Sequence, residues 1–388
     1  MKRLLAAVLT LALALTGLST AMAVTYLDPT ENRNITLASV GDNSDVLADD
    51  IASGISPTTG LTLSDLGAPA GFAGLAVTGR YMPMMVQIDN SDGGVDETAP
   101  WGASYADIVY ETPLHKLGMT RISYIFSDLI PNSVGPVRSA RVGHAWIREE
   151  WGAGFLYYGT QKYAKSNVED VFKDTGADSK GVLFSGTVGE GKEWKQFYTR
   201  RSDRYAPHNV DANVAAMYEL IPADYEPVQR AFLFTDEMPE GDSATEIVIS
   251  WDTVGYGSNL IYDEDNDAYF RYMRQKDNVL VPYEDSANHQ QMAFNNVIIQ
   301  WCETTWNRSD APLTWVAGKN AYGNAAGASG NEGNADIFQC GVHIAGYWKR
   351  DGMYSRTVFY DADGNELKLQ RGKTLITVID PSHTIAYQ

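Results

Sequence analysis

The sequence predicts an α+β protein: a layered ββα-type sandwich in the N-terminal domain, followed by a mostly β C-terminal domain. Three observations carry this. Runs of alternating, β-branched and aromatic residues recur from Tyr81 almost to the end of the chain. Only two segments, 139–151 and 209–220, read as helices, the second with Asp211 and Asn213 near its start and Pro222 stopping it. Asp-Gly pairs at Asp351-Gly352 and Asp363-Gly364 mark tight turns in the second half.

Taken in order, the chain opens with Lys2 and Arg3, an apolar run over 4–18, and Ala21-Met22-Ala23 as a small-x-small cleavage signal. Residues 1–23 therefore read as a secretory signal peptide, too short in its apolar run for a bilayer span. No cysteine lies near the cleavage point, so the expected product is secreted or extracytoplasmic, without a lipoprotein cysteine and without a transmembrane segment after cleavage. Residues 24–78 are rich in Asp, Asn, Ser, Thr and Gly with Arg33 as the one basic residue, a composition expected to form an acidic flexible linker.

The N-terminal domain is expected over 79–225. Its strands are 82–89, 106–112, 120–127 and an aromatic one at 155–158. A Pro- and Glu-rich connector spans 226–245 and contains a short apolar run at 231–234. The C-terminal domain, 246–388, carries strand-like segments at 246–251, 268–274, 296–302, 337–345, 355–360 and 374–378, and a Gly/Asn/Ala-rich stretch at 318–334 reads as a mobile loop.

The chain has 388 residues with a formal charge of -19, which excludes nucleic acid or an anionic membrane as an expected partner, since either needs a basic footprint. Cys302 and Cys340 are the only cysteines. In an oxidising compartment they are a disulfide candidate, with two unpaired buried thiols as the alternative. Two cysteines without a histidine at ligand spacing argue against a metal site, and no cofactor motif is present.

Several strings imitate chemistry. Gly186 to Lys192 matches the start of a phosphate-binding loop, but Glu193 stands where Ser or Thr must hold a metal, so a Gly-rich surface turn is the better reading. Asp263 to Asp267 resembles the start of a calcium loop, but Ala268 replaces the required glycine and Arg274 the bidentate acid. A solvated acidic turn fits better.

Polar density gathers in the N-terminal domain instead. Asp89 and Asn90 end the first strand, Asp107 and Glu111 flank the second, and Arg121 starts the third. Gly135-Pro136-Val137-Arg138-Ser139-Ala140-Arg141 then opens a helix, with Arg138, Arg141, His144 and Arg148 expected along one side. A helix start favours anions through unpaired N–H groups and its dipole, and arginine forks match carboxylate or phosphate. His208 and Asn209 follow Arg200, Arg201 and Arg204. The expected ligand-binding set is Asp89, Asn90, Asp107, Arg121, Arg138, Ser139, Arg141 and Asn209. The alternative is an internal ion network in which Glu111 and Asp107 pair with Arg121, Arg138 or Arg141.

The segments 83–90, Ala106 to Glu111, Thr120-Arg121, Gly135 to Arg141 and Ala206-Pro207-His208-Asn209 resemble the YerB-like family (DUF3048 N- and C-terminal domains) of bacterial envelope proteins. In the second half Asn296-Val297, Gly346 to Arg350 and the stretch from Gly364 to Thr374 are similar to that family's second domain. The resemblance spans roughly 81–381 and implies a layered α+β fold, an extracytoplasmic location and no established activity.

Three functions follow as expectations. One is an exported, non-catalytic envelope protein that binds an anionic cell-wall fragment, a small anion or an envelope protein through the arginines. Another is an envelope hydrolase or transferase using Glu111 or His208 with arginine electrostatics. The last is a protein- or glycan-binding scaffold built on the tyrosine-rich C-terminal sheet.

Overall fold

The computed structural model describes residues 23–388 apart from 92–93, 116–117, 164–165, 190, 252–256, 276–277, 309–310, 317–330 and 353. The expected signal peptide, except Ala23, and most of the expected 318–334 loop lie outside the described residues.

The fold is α+β and mostly β, as the alternating patterns predict. Its N-terminal half contributes β1 (Thr25–Tyr26), α1 (Ser44–Ala52), α2 (Leu75–Thr78), β2 (Met84–Ile88), β3 (Ile108–Pro113), β4 (Thr120–Phe126), α3 (Val142–Trp151), β5 (Gly154–Tyr157), α4 (Val168–Thr175), β6 (Leu183–Ser185), β7 (Tyr198–Arg200), β8 (Val210–Ala212) and α5 (Val214–Tyr218). The remainder contributes chiefly β9 (Glu246–Ser250), β10 (Gly257–Asp263), β11 (Ala268–Arg274), β12 (Leu280–Pro282), β13 (Asn296–Trp301), β14 (Asn331–Gln339), β15 (Val342–Arg350), β16 (Thr374–Ile379) and β17 (Thr384–Tyr387).

One 11-stranded sheet crosses both halves in the order Asp242–Ser243, β15, β14, β13, β16, β3, β4, β2, β5, β6, with Val358–Tyr360 on β15. The join is the parallel pair β16–β3, in register from Thr374↔Ile108 to Thr377↔Glu111. A seven-stranded sheet runs β1, β17, β9, β10, β11, β12, with Ala293–Phe294 on β11.

Strand alternation sends buried residues of the central sheet into two cores. Val86, Ile88, Val109, Ile122 and Tyr124 pack with Ile247, Leu260 and Tyr269 of the second sheet. Met85, Ile108, Tyr110 and Ile125 pack with Ala145 and Ile147 of α3 and Phe172 of α4. The result is three layers: helices, large sheet, small sheet.

Some sequence expectations need correction. Residues 24–78 are not a free linker. Their polar groups find specific partners: Arg33 donates to the carbonyls of Ala335 (2.6 Å) and Gly346 (2.9 Å) and pairs with Asp336 (2.7 Å). Leu47 and Leu75 share a small core with Tyr81 and Ala231, and β1 pairs with β17. The connector is also woven in, since Leu233–Thr235 pairs with Lys368–Gln370 and Asp242–Ser243 with β15.

The helix expected at 209–220 is a strand, β8, then the short α5. Val210 and Ala212 are buried with half-buried Asp211 between them, a period of two; Asn213 caps α5 by accepting from the Ala216 N–H at 2.9 Å. The single strand expected at 337–345 is a hairpin, turned by Cys340 (φ 50) and Gly341 (φ 73) between β14 and β15.

That hairpin also overturns the disulfide. Both cysteines are free. The antiparallel register sets Gln339 opposite Asn296, so Cys340 lies at one end of β13 and Cys302 just past the other. A strand of six residues separates them by roughly 20 Å at about 3.3 Å per residue, far beyond disulfide reach.

Candidate functional site

The string Gly135 to Arg141 is an extended lead-in, not a helix start. Backbone bonds pin it on both sides: Asp89 N–H donates to Pro136 O (3.0 Å), Val137 N–H to Val210 O (2.8 Å), Arg138 N–H to Gln87 O (2.8 Å) and Ala140 N–H to Gly159 O (3.0 Å). Gly135 is required there, because a Cβ would meet the Trp101 ring at 2.2 Å and Val210 O at 2.5 Å. The α-helix begins only at Val142, with extended Arg141 at its N-cap and left-handed Gly152 ending it.

Asp89, just past β2, is the centre of the site. Its Oδ2 lies 3.0 Å from Arg138 Nε and accepts from His208 Nδ1 at 2.6 Å. Its Oδ1 accepts from the Ser91 N–H (3.0 Å) and Oγ (2.6 Å). Burial alone would push this carboxyl up, but Arg121, Arg138 and the Ser91 hydrogen bonds together outweigh it and hold it below the usual carboxylate range.

Arg121 is buried, with only 3% exposure. Its Nη1 donates one long bond to Ser139 O (3.4 Å), and its Nε has no hydrogen-bond partner among the described residues. Burial, opposed by Asp89 and reinforced by Arg141 and Arg138, pulls its pKa down to about 9. Arg138 and Arg141 thus both oppose the charge on Arg121, while Arg121 and Arg138 flank the Asp89 carboxylate. His144 completes this wall: its Nδ1 accepts from the Arg141 N–H (2.9 Å) and its Nε2 meets Thr112 Oγ1 (3.1 Å). Burial, then Arg121 and Arg141, hold its pKa well below the ordinary histidine value, so it is neutral.

The remaining expected residues divide. Ser139 donates its hydroxyl to Tyr158 O (3.1 Å) and, through its carbonyl, holds Arg121. Asn209 accepts from Arg200 Nη1 (2.7 Å) and donates to the carbonyls of Arg201 and Arg204, fixing the loop that presents His208. Arg148 does not share the arginine wall; it binds Glu149 (2.8 Å), Ala153 O (2.7 Å) and the Tyr225 hydroxyl (2.7 Å).

Glu111 and Asn90 lie on the opposite face of the sheet from Arg121. Alternation at each strand end decides this: Asp89, Thr112 and Arg121 face α3, whereas Asn90, Glu111 and Thr120 face the second sheet. There Glu111 is fully buried, accepting from Thr120 Oγ1 (2.8 Å) and Asn90 Nδ2 (3.3 Å), and its partner cation is Arg271 (2.8 Å). The expected pairing of Glu111 with Arg121, Arg138 or Arg141 is therefore not formed. Asp107 is also elsewhere: its Oδ2 accepts from Ser127 N–H, Ser127 Oγ and Asp128 N–H (2.6, 3.0 and 2.9 Å), a turn-holding role. The acidic turn at 263–267 is likewise local, with Asp263 accepting from Asn266 N–H (3.0 Å) at the tip of the β10–β11 hairpin.

Arg271 was not singled out from the sequence. The signal was present, since Tyr269, Arg271 and Met273 are alternate and all buried on β11, making Arg271 a charge at an apolar position. Tyr158 was also missed: its N–H donates to Arg138 O (2.9 Å), and Lys195 and Arg200 sit 5.7 and 5.1 Å from its ring centre. The glycine-rich stretch folds beside it, with the Lys195 ammonium donating to Gly186 O.

Two family models match, described as the N-terminal domain (residues 72–226) and the C-terminal domain (residues 247–376) of a protein of unknown function, DUF3048. The chain is 27% identical over 290 residues to the Bacillus subtilis (strain 168) protein described as "Putative lipoprotein YerB", covering 72% of this chain and 76% of that one. It superposes on the crystal structure of YerB from Bacillus subtilis with a TM-score of 0.63 at 22% identity, covering 85% of this chain and 99% of the other.

Proposed function

The chain belongs to the DUF3048 family, and from that premise we propose that it is an exported, extracytoplasmic binding protein that holds an anionic ligand at the arginine wall around Asp89. The lipoprotein description of its Bacillus relative and the sequence of its first 23 residues support the location. No helix among the described residues is long and apolar enough to cross a membrane.

One observation carries the binding reading. Arg121 is a buried guanidinium whose Nε lacks a partner among the described residues and whose charge is opposed by two further arginines. Buried charges are ordinarily paired and fully hydrogen-bonded, because an unmatched one costs several kcal/mol. An anion placed beside Arg121, within the field of Arg138 and Arg141, would meet the Arg121 Nε, which finds no acceptor among the described residues.

Thermal-shift titrations with sulfate, phosphate, succinate and a carboxylate-ended muropeptide test it. At least one anion should raise the melting temperature of the wild type and fail to do so for Arg138→Ala/Arg141→Ala, by the linkage of ligand binding to stability. The double variant should lose stability only modestly, because Asp89 gives up Arg138 but keeps Arg121 and the Ser91 hydrogen bonds. A large loss of stability without any anion effect would instead assign the arginines to an internal ion network.

A catalytic reading rests on the His208–Asp89 pair alone, since Glu111 is sealed. Asp89 fixes the ring through Nδ1, and the side chain is 23% exposed. Turnover of envelope substrates that is lost in His208→Ala while anion binding persists would favour it.

A further inference from the structure

Resting on the anion-binding reading above, we propose that the ligand recognised by Arg121, Arg138, Arg141 and the first turn of α3 carries a phosphoryl group, a phosphomonoester dianion rather than a carboxylate. The donors converge from independent elements. Arg121 comes from β4, buried at 3% exposure with its Nε unpartnered. Arg138 and Arg141 come from the extended lead-in. At the head of α3, a ten-residue helix, the N–H groups of Val142 and Gly143 donate to no acceptor among the described residues. Both residues are buried, where a backbone N–H normally has a partner.

Such a set suits a tetrahedral anion. A carboxylate offers two oxygens in one plane, which one guanidinium fork can satisfy. A phosphoryl group offers three terminal oxygens, able to meet a helix N-terminus and arginines on different sides together. Charge points the same way. Asp89 offsets one of the positive charges, and both Arg138 and Arg141 still act against the charge on Arg121, so a dianion relieves what a monoanion leaves. Lys195 and Arg200, stacked about the neighbouring Tyr158 ring, extend the positive field at the rim. In a chain of charge -19 this concentration runs against the overall balance.

Isothermal titration of the mature chain with glycerol 3-phosphate, inorganic phosphate and succinate provides the test, beside co-sedimentation with vesicles of phosphatidylcholine with and without phosphatidic acid. The phosphate ester should bind at least about tenfold more tightly than succinate, and Arg138→Ala and Arg121→Lys should each weaken it by roughly tenfold, the scale of one charge-assisted hydrogen bond. Circular dichroism checks that each variant is folded, and Arg138→Ala, at a part-exposed side chain, keeps the comparison usable if Arg121→Lys is not. Binding of the soluble ester alone supports a soluble source; selective sedimentation with phosphatidic acid supports a lipid-borne one. Succinate binding as well as the ester would overturn the phosphoryl assignment and leave the anion site standing. Binding of none of the probes would overturn both.

Discussion

Asp89 keeps its charge in a buried position because two arginines and Ser91 together exceed the burial cost. A carboxyl whose folded pKa is depressed adds stability above its ordinary value near 3.9, and loses it as pH falls through the lowered folded value. The stability gap between wild type and Asp89→Asn, measured by denaturant unfolding, should therefore be full at pH 7 and shrink only below about pH 4. An unchanged gap at pH 3 would refute the ion pairing. Asp107 behaves oppositely. Burial, then the nearby Asp128, raise its pKa well above normal, so its contribution falls as pH rises from the ordinary value through the raised one. Asp107→Asn keeps an acceptor for Ser127 and Asp128 and removes the like charge, so it should equal or exceed wild-type stability at pH 7. Asp107→Ala strands those donors and should lose about 1–3 kcal/mol. At this scale the sequence displayed the right residue types but not their partners, because a one-residue step along a strand moves a side chain to the other face.

The pair Glu111–Arg271 ties β3 to β11 across the inner core, fully buried on both sides and 2.8 Å apart. Breaking such a pair from one side leaves an uncompensated charge, so Glu111→Ala should cost about 3–5 kcal/mol, whereas Glu111→Leu/Arg271→Met should recover most of it. A double-mutant cycle by urea unfolding checks this, and additive single effects would deny the coupling. Elements held by alternation were legible: β2, β3, β4, β11, β13 and β16 fall where period two put them. Elements set by backbone partners were not. The Gly135 to Arg141 lead-in is extended because strands on both sides claim its amides, which no local pattern reveals. The helix α4 was missed although Asn167 caps it by accepting from Glu169 N–H (3.2 Å) and Val168, Val171, Phe172 and Thr175 line its buried face.

The two halves read from the sequence as separate domains meet in one sheet, and this sets how the molecule should unfold. Residues from Ile108 to Glu111 hydrogen-bond in parallel with Thr374 to Thr377, while Val109 and Tyr124 share their core with Ile247, Leu260 and Tyr269. Composition and turn punctuation could not show this, because the pairing joins strands more than 250 residues apart through contacts that carry no local signature. A fragment ending near residue 240 would expose the β3 edge and one entire apolar face of the central sheet. Edges and faces of that kind aggregate or stay molten. Residues 24–240 expressed alone should therefore be insoluble or lack dispersed amide resonances, and co-expression with 241–388 should restore a soluble complex. In the intact chain, near-ultraviolet and far-ultraviolet dichroism should report one coincident urea transition, since the tryptophans at 151, 251, 301 and 348 are all buried across the shared layers. Two separated transitions, or a well-dispersed spectrum from the isolated first half, would show that the sheet is a contact between independent domains rather than a single folding unit.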